Sequence, residues 1–204
     1  MNNLDRLITQ FERFPGIGSR QAKRFAFHLL TQDQQNINEL AELIRTIKDT
    51  VVECPTCFRF HSVNGGGNLC RICRNQERDA SEITIVERDV DIDAIERGGV
   101  YNGLYFVLGG TIPLLESSET KHIRGGALKA RIENDTTNGL KEIILAFSIN
   151  PDGENTARYV EILLKDHIED NKLKVTHLGR GLSTGSELEY ADPETIKNAF
   201  KNRD

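Results

Sequence analysis

Cys54-Pro-Thr-Cys57-Phe-Arg-Phe-His-Ser-Val-Asn-Gly-Gly-Gly-Asn-Leu-Cys70-Arg-Ile-Cys73 holds every cysteine of this 204-residue chain, as two Cys-x-x-Cys turns twelve residues apart. The stretch separates a part patterned for helices from a part patterned for alternating strands and helices. Two such turns read as one tetrahedral zinc site, because each brings two thiolates toward one ion and together they complete four soft ligands. Two redox pairs would each call for a strand-to-helix setting of the thioredoxin kind, and disulfides would call for a secretory leader. A site closed by four thiolates leaves no position for water, so the zinc expected at Cys54, Cys57, Cys70 and Cys73 is structural and not catalytic. His61, between the turns, reads as a surface residue once four cysteines are present. Asn64-Gly65-Gly66-Gly67-Asn68 reads as an exposed loop tip.

Upstream of this stretch, Leu4, Leu7, Ile8 and Phe11 recur at helical spacing, as do Ala22, Phe25, Ala26, Leu29 and Leu30. Between them lies Phe14-Pro15-Gly16-Ile17-Gly18-Ser19, where the glycines allow a tight turn and Ser19 is expected to cap the second helix. A third helix is predicted over about 36–50, with Ile37, Leu40, Ile44 and Ile47 on one face. Downstream, the apolar runs 83–86, 104–108, 143–147 and 173–178 read as strands. Helical segments at 91–97, 127–133 and 155–167 fall between them, which is the alternation of a parallel sheet covered by helices. Residues 109–126 read as a surface loop, and a last short helix is predicted near 193–202. The expected organisation is an α/β multi-module chain: a helix-hairpin-helix module over 1–53, a four-cysteine zinc finger over 54–79, a parallel α/β domain over 80–178 and a carboxyl-terminal tail over 179–204.

The net charge of −5 argues weakly against nucleic acid until it is divided along the chain. Residues 1–30 carry five Lys or Arg against two acids, whereas residues 80–204 carry fifteen against twenty-two. Any DNA contact is therefore expected in the basic amino-terminal module. The opening Met-Asn-Asn-Leu-Asp-Arg has no basic region followed by an apolar run, and no segment is apolar enough to span a bilayer, so a cytoplasmic location without membrane contact is expected.

The turn at Gly16 and Gly18 can bring backbone amides close to a phosphate at the start of the second helix, whose dipole favours an anion. Arg20, Lys23 and Arg24 lie away from that helix's apolar stripe and could meet a second phosphate. Such contacts ignore base identity and weaken with salt. Phe27 shares the basic side, and an ordinary helical hairpin with a solvated basic face remains the competing reading. In the α/β domain Glu87 ends the first strand, and Asp152 and Glu154 follow the third. Carboxyl ends of parallel strands face one crevice, so the three acids could converge and hold Mg²⁺; alternatively, Asp152 and Glu154 merely favour the positive end of the next helix. Arg88, Asp89, Asp91 and Asp93 read as a solvated turn and helix start. Gly179-Arg180-Gly181-Leu-Ser-Thr-Gly185-Ser186 lacks the lysine of a P-loop and the spacing of a dinucleotide fingerprint. The remaining histidines form no triad or second metal set.

The order of these parts resembles the RecR family of bacterial recombination proteins. Phe14-Pro-Gly-Ile-Gly-Ser-Arg-Gln-Ala-Lys-Arg-Phe-Ala-Phe-His-Leu-Leu30, Gly103-Leu-Tyr-Phe-Val-Leu-Gly109, Gly153-Glu154-Asn-Thr156-Ala157 and Gly185-Ser-Glu187-Leu-Glu189-Tyr-Ala-Asp192 are similar to that family's motifs, across nearly the whole chain. The resemblance implies a Toprim-type fold for about 80–178 and a ring-shaped homotetramer around DNA. It also implies RecO and RecF as partners in loading RecA at gaps, and acids at Glu87, Asp152 and Glu154 that serve assembly and partner contact without an established reaction. The expected function is thus a non-enzymatic, sequence-independent DNA clamp and mediator in recombinational repair. A Mg²⁺-dependent Toprim enzyme acting on phosphodiesters is the alternative, although Tyr101, Tyr105, Tyr159 and Tyr190 offer no convincing nucleophile. A zinc-ribbon adaptor that binds protein alone is the third reading.

Overall fold

The computed structural model describes residues 1–63, 67–114, 122–179, 191 and 193–201, and the chain divides into two units, residues 1–51 and 52–204. In the first unit, helix α1 (Asn3–Glu12) starts where Asn2 accepts the Asp5 amide at 2.8 Å, and Asp5 reaches back to the Asn2 amide to close a capping box. Helix α2 (Ser19–Leu30) follows a turn in which Gly16 has φ +76°, a conformation that suits glycine. The N-cap of α2 is Gly18, with no side-chain cap, and Ser19 is the first helical residue rather than the expected cap. The two helices pack through buried Ala22 and Ala26 and an edge-on contact of Phe11 with Phe25 at 5.9 Å. Helix α3 (Gln34–Thr50) begins two residues before its predicted start because Asp33 caps it, accepting the Asn36 amide at 2.9 Å.

In the second unit, short strands β1 (Val51–Glu53) and β2 (Phe60–Ser62) pair with each other around the first cysteine turn, and the one-turn helix α4 (Arg71–Arg74) holds the second. The main sheet contains β3 (Asp79–Val86), β4 (Gly103–Val107), β5 (Glu142–Ala146) and β6 (Lys174–His177), in the order β4-β3-β5-β6 with every pairing parallel. Helices α5 (Asp89–Gly98), α6 (Gly125–Thr137) and α7 (Pro151–Asn171) alternate with the strands, and α8 (Pro193–Lys201) follows them. The predicted α/β class and parallel sheet are present. Helix α7 is longer than the sequence pattern suggests at both ends: Asn150 caps it by accepting the Gly153 amide at 2.8 Å, with Pro151 in its first turn.

Strand alternation sorts the apolar residues onto two faces. Ile83, Ile85, Phe106, Leu108, Ile143 and Leu145 pack with Leu128 and Ile132 of α6 and with Val160 and Leu164 of α7. The opposite face carries Val86, Tyr105 and Val107, covered by Ile92 of α5 and by Cys54, Cys57, Cys70 and Ile72. The cysteine turns therefore take the place of a second covering helix over one part of the sheet. Among the described residues, no helix is long and apolar enough to cross a membrane.

Candidate metal centre and nucleic-acid interface

The first cysteine turn is fixed by backbone bonds. Cys54 donates to the Arg59 carbonyl at 2.8 Å, Phe58 donates to the Cys54 carbonyl at 2.9 Å, and Phe58 sits at φ +63° to complete the reversal. Val107 on edge strand β4 donates to the Cys57 carbonyl at 2.9 Å, so the turn also covers an edge that would otherwise be open. In the second turn Cys70 is the N-cap of α4, and its sulfur accepts the Cys73 amide at 3.4 Å. All four sulfurs lie within 4.8 Å of one another, and Cys54, Cys57 and Cys70 are buried. A tetrahedron with metal–sulfur bonds of about 2.3 Å requires sulfur separations of about 3.8 Å, so the cluster suits a zinc-sized ion. The Cys70 amide also points at the Cys54 sulfur, at 3.5 Å, as a donor toward a thiolate.

Packed this closely, the thiols compete for protons. The Cys54 thiol is pulled well down by hydrogen bonds from Cys57, then Cys70 and Cys73, whereas Cys57 is pushed up by its bond with Cys54. A divalent cation removes that competition by holding all four as thiolates. The ring nitrogens of His61 are 3.2 Å and 3.1 Å from the carbonyl oxygens of Ser62 and Asn68, outside the sulfur cluster. His61 is half-buried by those contacts rather than freely exposed.

Arginines from distant positions tie this centre to the sheet. Arg131 of α6 donates to the Thr56 carbonyl at 2.8 Å and pairs with buried Asp135. Arg124 pairs with Glu53 and lies 5.1 Å over the Phe58 ring, which in turn meets Phe106 edge-on at 5.2 Å. Arg59 pairs with Asp89 at 3.2 Å and with Asp93 on α5. Asp89 is thus no solvated turn residue as expected. It also accepts the Phe60 amide, and burial raises its carboxyl above the ordinary value despite that bond. Apart from Arg131–Asp135, an i,i+4 pair on α6, no local sequence signal points to these contacts, because their partners lie about thirty or more residues apart.

On α2, Arg20, Lys23 and Arg24 are exposed and line an open groove with Phe27, His28 and Thr31. Phe27 is 55 % exposed, so it does not pack over the basic side. The first amides of α2 lack acceptors within the helix, and Gly18 supplies no side chain to cap them. Gly16, Gly18 and the three cations therefore occupy one end and one side of the same short helix.

The acids are arranged differently from the expectation that they could converge. Glu87, buried after β3, accepts the Ser148 amide and so fastens the β5–α7 connection. Asp152 and Glu154 stand in the first turn of α7, where the helix dipole favours them, and Asp152 accepts the Leu114 amide at 3.0 Å. A crevice of about 380 Å³ does lie at the carboxyl ends of β5 and β6, but of the three acids only Glu154 lines it. Among the described residues, the cysteines alone bring three or more potential metal ligands together, so Glu87, Asp152 and Glu154 form no preassembled Mg²⁺ ligand set. Gly153 is required where it stands, because a Cβ there would collide with the Ser148 carbonyl. The glycine-rich segment after Gly179, read as neither a P-loop nor a dinucleotide loop, lies outside the described residues from Arg180 to Tyr190.

Comparison with known proteins gives three family matches: "RecR, helix-hairpin-helix" over residues 4–48, "Toprim domain" over 81–179 and "RecR, C-terminal" over 181–203. Similar relatives include a "Recombination protein RecR" of Rubrobacter xylanophilus, 38 % identical over 98 % of this chain and 96 % of its own length. The protein of the same name from Chloroflexus aurantiacus is 40 % identical over 97 % of this chain and 92 % of its own. That of Dehalococcoides mccartyi is 38 % identical over 98 % and 93 %.

Proposed function

We propose that this chain, which belongs to the RecR family of recombination proteins, is a non-enzymatic DNA-binding clamp and mediator in recombinational repair. The observation that carries this reading is the uncapped, glycine-led start of α2 beside exposed Arg20, Lys23 and Arg24. Amides at a helix start and three cations suit two successive phosphates of any sequence. Zn²⁺ at Cys54, Cys57, Cys70 and Cys73 holds the turns against the sheet and takes no part in chemistry. RecO and RecF are the protein partners, and the assembly they meet helps to load RecA at gapped DNA. The chain acts as a homotetramer, a proposal supported by α3, whose Leu40, Leu43, Ile44 and Ile47 are all exposed in a single copy. The acids Glu87, Asp152 and Glu154 keep a structural and partner-facing role, because their bonds are to backbone amides or their place is at a helix start. The division into 1–53, 54–79, 80–178 and 179–204 is the functional one, with the tail serving assembly.

The test combines labelled duplex and gapped DNA with purified protein, with and without Mg²⁺, and reads both retardation and strand integrity. Retarded, intact DNA is expected. Metal-dependent nicking or rejoining would replace the clamp by a Toprim enzyme, and absence of binding at low salt would leave a protein-binding adaptor.

A further inference from the structure

Residues 54–79 carry Arg59, Arg71, Arg74 and Arg78 against only Glu77 and Asp79, a local excess of positive charge in a chain of net −5. Three of those arginines wall a cavity of about 260 Å³ between β2 and the second cysteine turn, together with Phe60, His61 and Ser62. Arg59 spends Nε and Nη2 on Asp89 and Asp93, which leaves its Nη1 buried without a hydrogen-bond partner. An unmade bond of that kind is costly and calls for an acceptor. Arg71 influences Glu96 electrostatically. Among the described residues, though, neither Arg71 nor Arg74 makes a side-chain hydrogen bond or ion pair. The cavity is smaller than the roughly 300–1,000 Å³ of sites that enclose a cofactor-sized ligand, so it suits an anionic group and not a whole nucleotide. Beside it, Phe60 is 57 % exposed, with its backbone amide fastened to Asp89. Guanidinium groups next to an exposed aromatic ring are the combination that binds single strands, the cations taking phosphates and the ring taking a base.

We infer that the zinc module holds a second nucleic-acid contact, in which Arg59, Arg71 and Arg74 seat one backbone phosphate of a DNA strand and Phe60 stacks on the adjoining base. All of these residues lie in the second unit, so the site stands independently of the α2 face. Its place beside an unpaired base gives the zinc module a preference for single-stranded over duplex DNA. The duplex can offer the phosphate but not the base face.

The experiment measures binding of the full-length, zinc-loaded protein to a single-stranded oligonucleotide and to a duplex between 50 and 200 mM salt, conditions in which phosphate contacts dominate affinity. Arg71→Gln/Arg74→Gln, with zinc content and thermal unfolding matched to the parent, should weaken single-strand binding roughly tenfold and lower the salt slope by about 0.7, the value for one phosphate. Phe60→Ala should reduce single-strand affinity roughly tenfold with little effect on duplex. Unchanged affinity and slope in the arginine variant would overturn the proposal, as would an equal loss on both DNA forms in Phe60→Ala. If the double variant loses zinc, Arg74→Gln alone should lower the slope by about half as much, and an unchanged slope would again overturn it. Orthophosphate supplies the remaining arm. Phosphate that shifts the Arg59 resonances while the arginine variant still binds DNA as the parent does would assign the pocket to a free anion and defeat the DNA contact. Arg20→Gln/Arg24→Gln, measured in parallel, reports on the α2 face alone, so either site can fail without the other.

Discussion

The two units treat their apolar side chains in opposite ways. In the first, α1 and α2 bury only Ala22 and Ala26 between them, and α3 buries none of its residues although its apolar positions recur at helical spacing. In the second, both faces of the parallel sheet are covered, and fully buried Ile72 packs with the cysteines against Val86 and Val107. Apolar periodicity therefore reports a face that has to be covered, not what covers it. In the sheet unit the cover comes from this chain, partly from a metal-binding turn. For α3 the uncovered stripe suits the other copies of the proposed homotetramer, so its stability is expected to be tied to assembly.

The largest expected effect comes from removing the metal cover. Binding of structural zinc contributes about 10–16 kcal/mol in small zinc modules, which is comparable to the whole stability of a domain. Cys57→Ser should therefore abolish zinc retention and the cooperative unfolding of the sheet unit, checked by metal content and thermal melting followed by circular dichroism. A variant that lost zinc but melted as the parent does would show that the cysteine layer is dispensable packing.

Isoleucines of the two units should differ by a smaller amount. Ile72→Ala should cost about 2–5 kcal/mol in the sheet unit, the range for emptying a buried aliphatic site. Ile44→Ala, at a position 65 % exposed, should change the stability of a single copy by no more than about 0.5 kcal/mol. Denaturant unfolding at low concentration reads both. Leu43→Asp/Ile44→Asp should then dissociate the assembly with its helical content retained, as sedimentation would show, and an unchanged mass would remove α3 from the interface.

A smaller effect belongs to the basic face of α2. Arg20→Gln/Arg24→Gln should weaken duplex binding by a similar factor for every sequence tested and reduce the salt slope by about 0.9, the value for the one phosphate those cations meet. Loss confined to particular sequences would point to base contacts instead of the backbone contacts proposed.

How much of this was legible in the sequence depends on how far apart the interacting residues lie. The Cys-x-x-Cys turns, the glycine turn at 16–18 and the β/α alternation are encoded within a few residues, and each is found in its expected place. The Asn150-Pro151 start of α7 is equally local, a cap followed by proline, although the apolar pattern itself begins only near Asn155. For the acids two readings stay open in the sequence, for a different reason. Strand ends predict a shared crevice, but the orientation of Glu87 is set by the Ser148 amide, sixty-one residues away. Arg59, Arg124 and Arg131 carry no pattern of their own, and only the folded chain brings them to Asp89, Glu53 and Thr56.

The smallest expected effect tests whether such a long-range pair matters to the sheet unit. Arg78, just before β3, pairs with Glu96 of α5, and the Tyr105 hydroxyl donates to the same carboxylate at 2.7 Å. Hydrogen bonding from Arg78, with Tyr105 and further positive charge assisting, holds the Glu96 carboxyl below its ordinary value, although burial opposes the shift. A depressed folded value means that the unfolded chain takes up the proton first as the pH falls. The contribution is therefore complete above the unfolded carboxylate value of about 4.3 and is lost as the pH drops through the lower folded one. Glu96→Gln should lower stability modestly at neutral pH, where the contribution is complete, and change it little below the folded value, so that the acid limb flattens in that window. The partly solvated setting limits the pair to a modest contribution. An acid limb as steep as the parent's would mean that other carboxylates govern acid unfolding, and that the contact of Arg78 with α5 follows from the fold without helping to hold it.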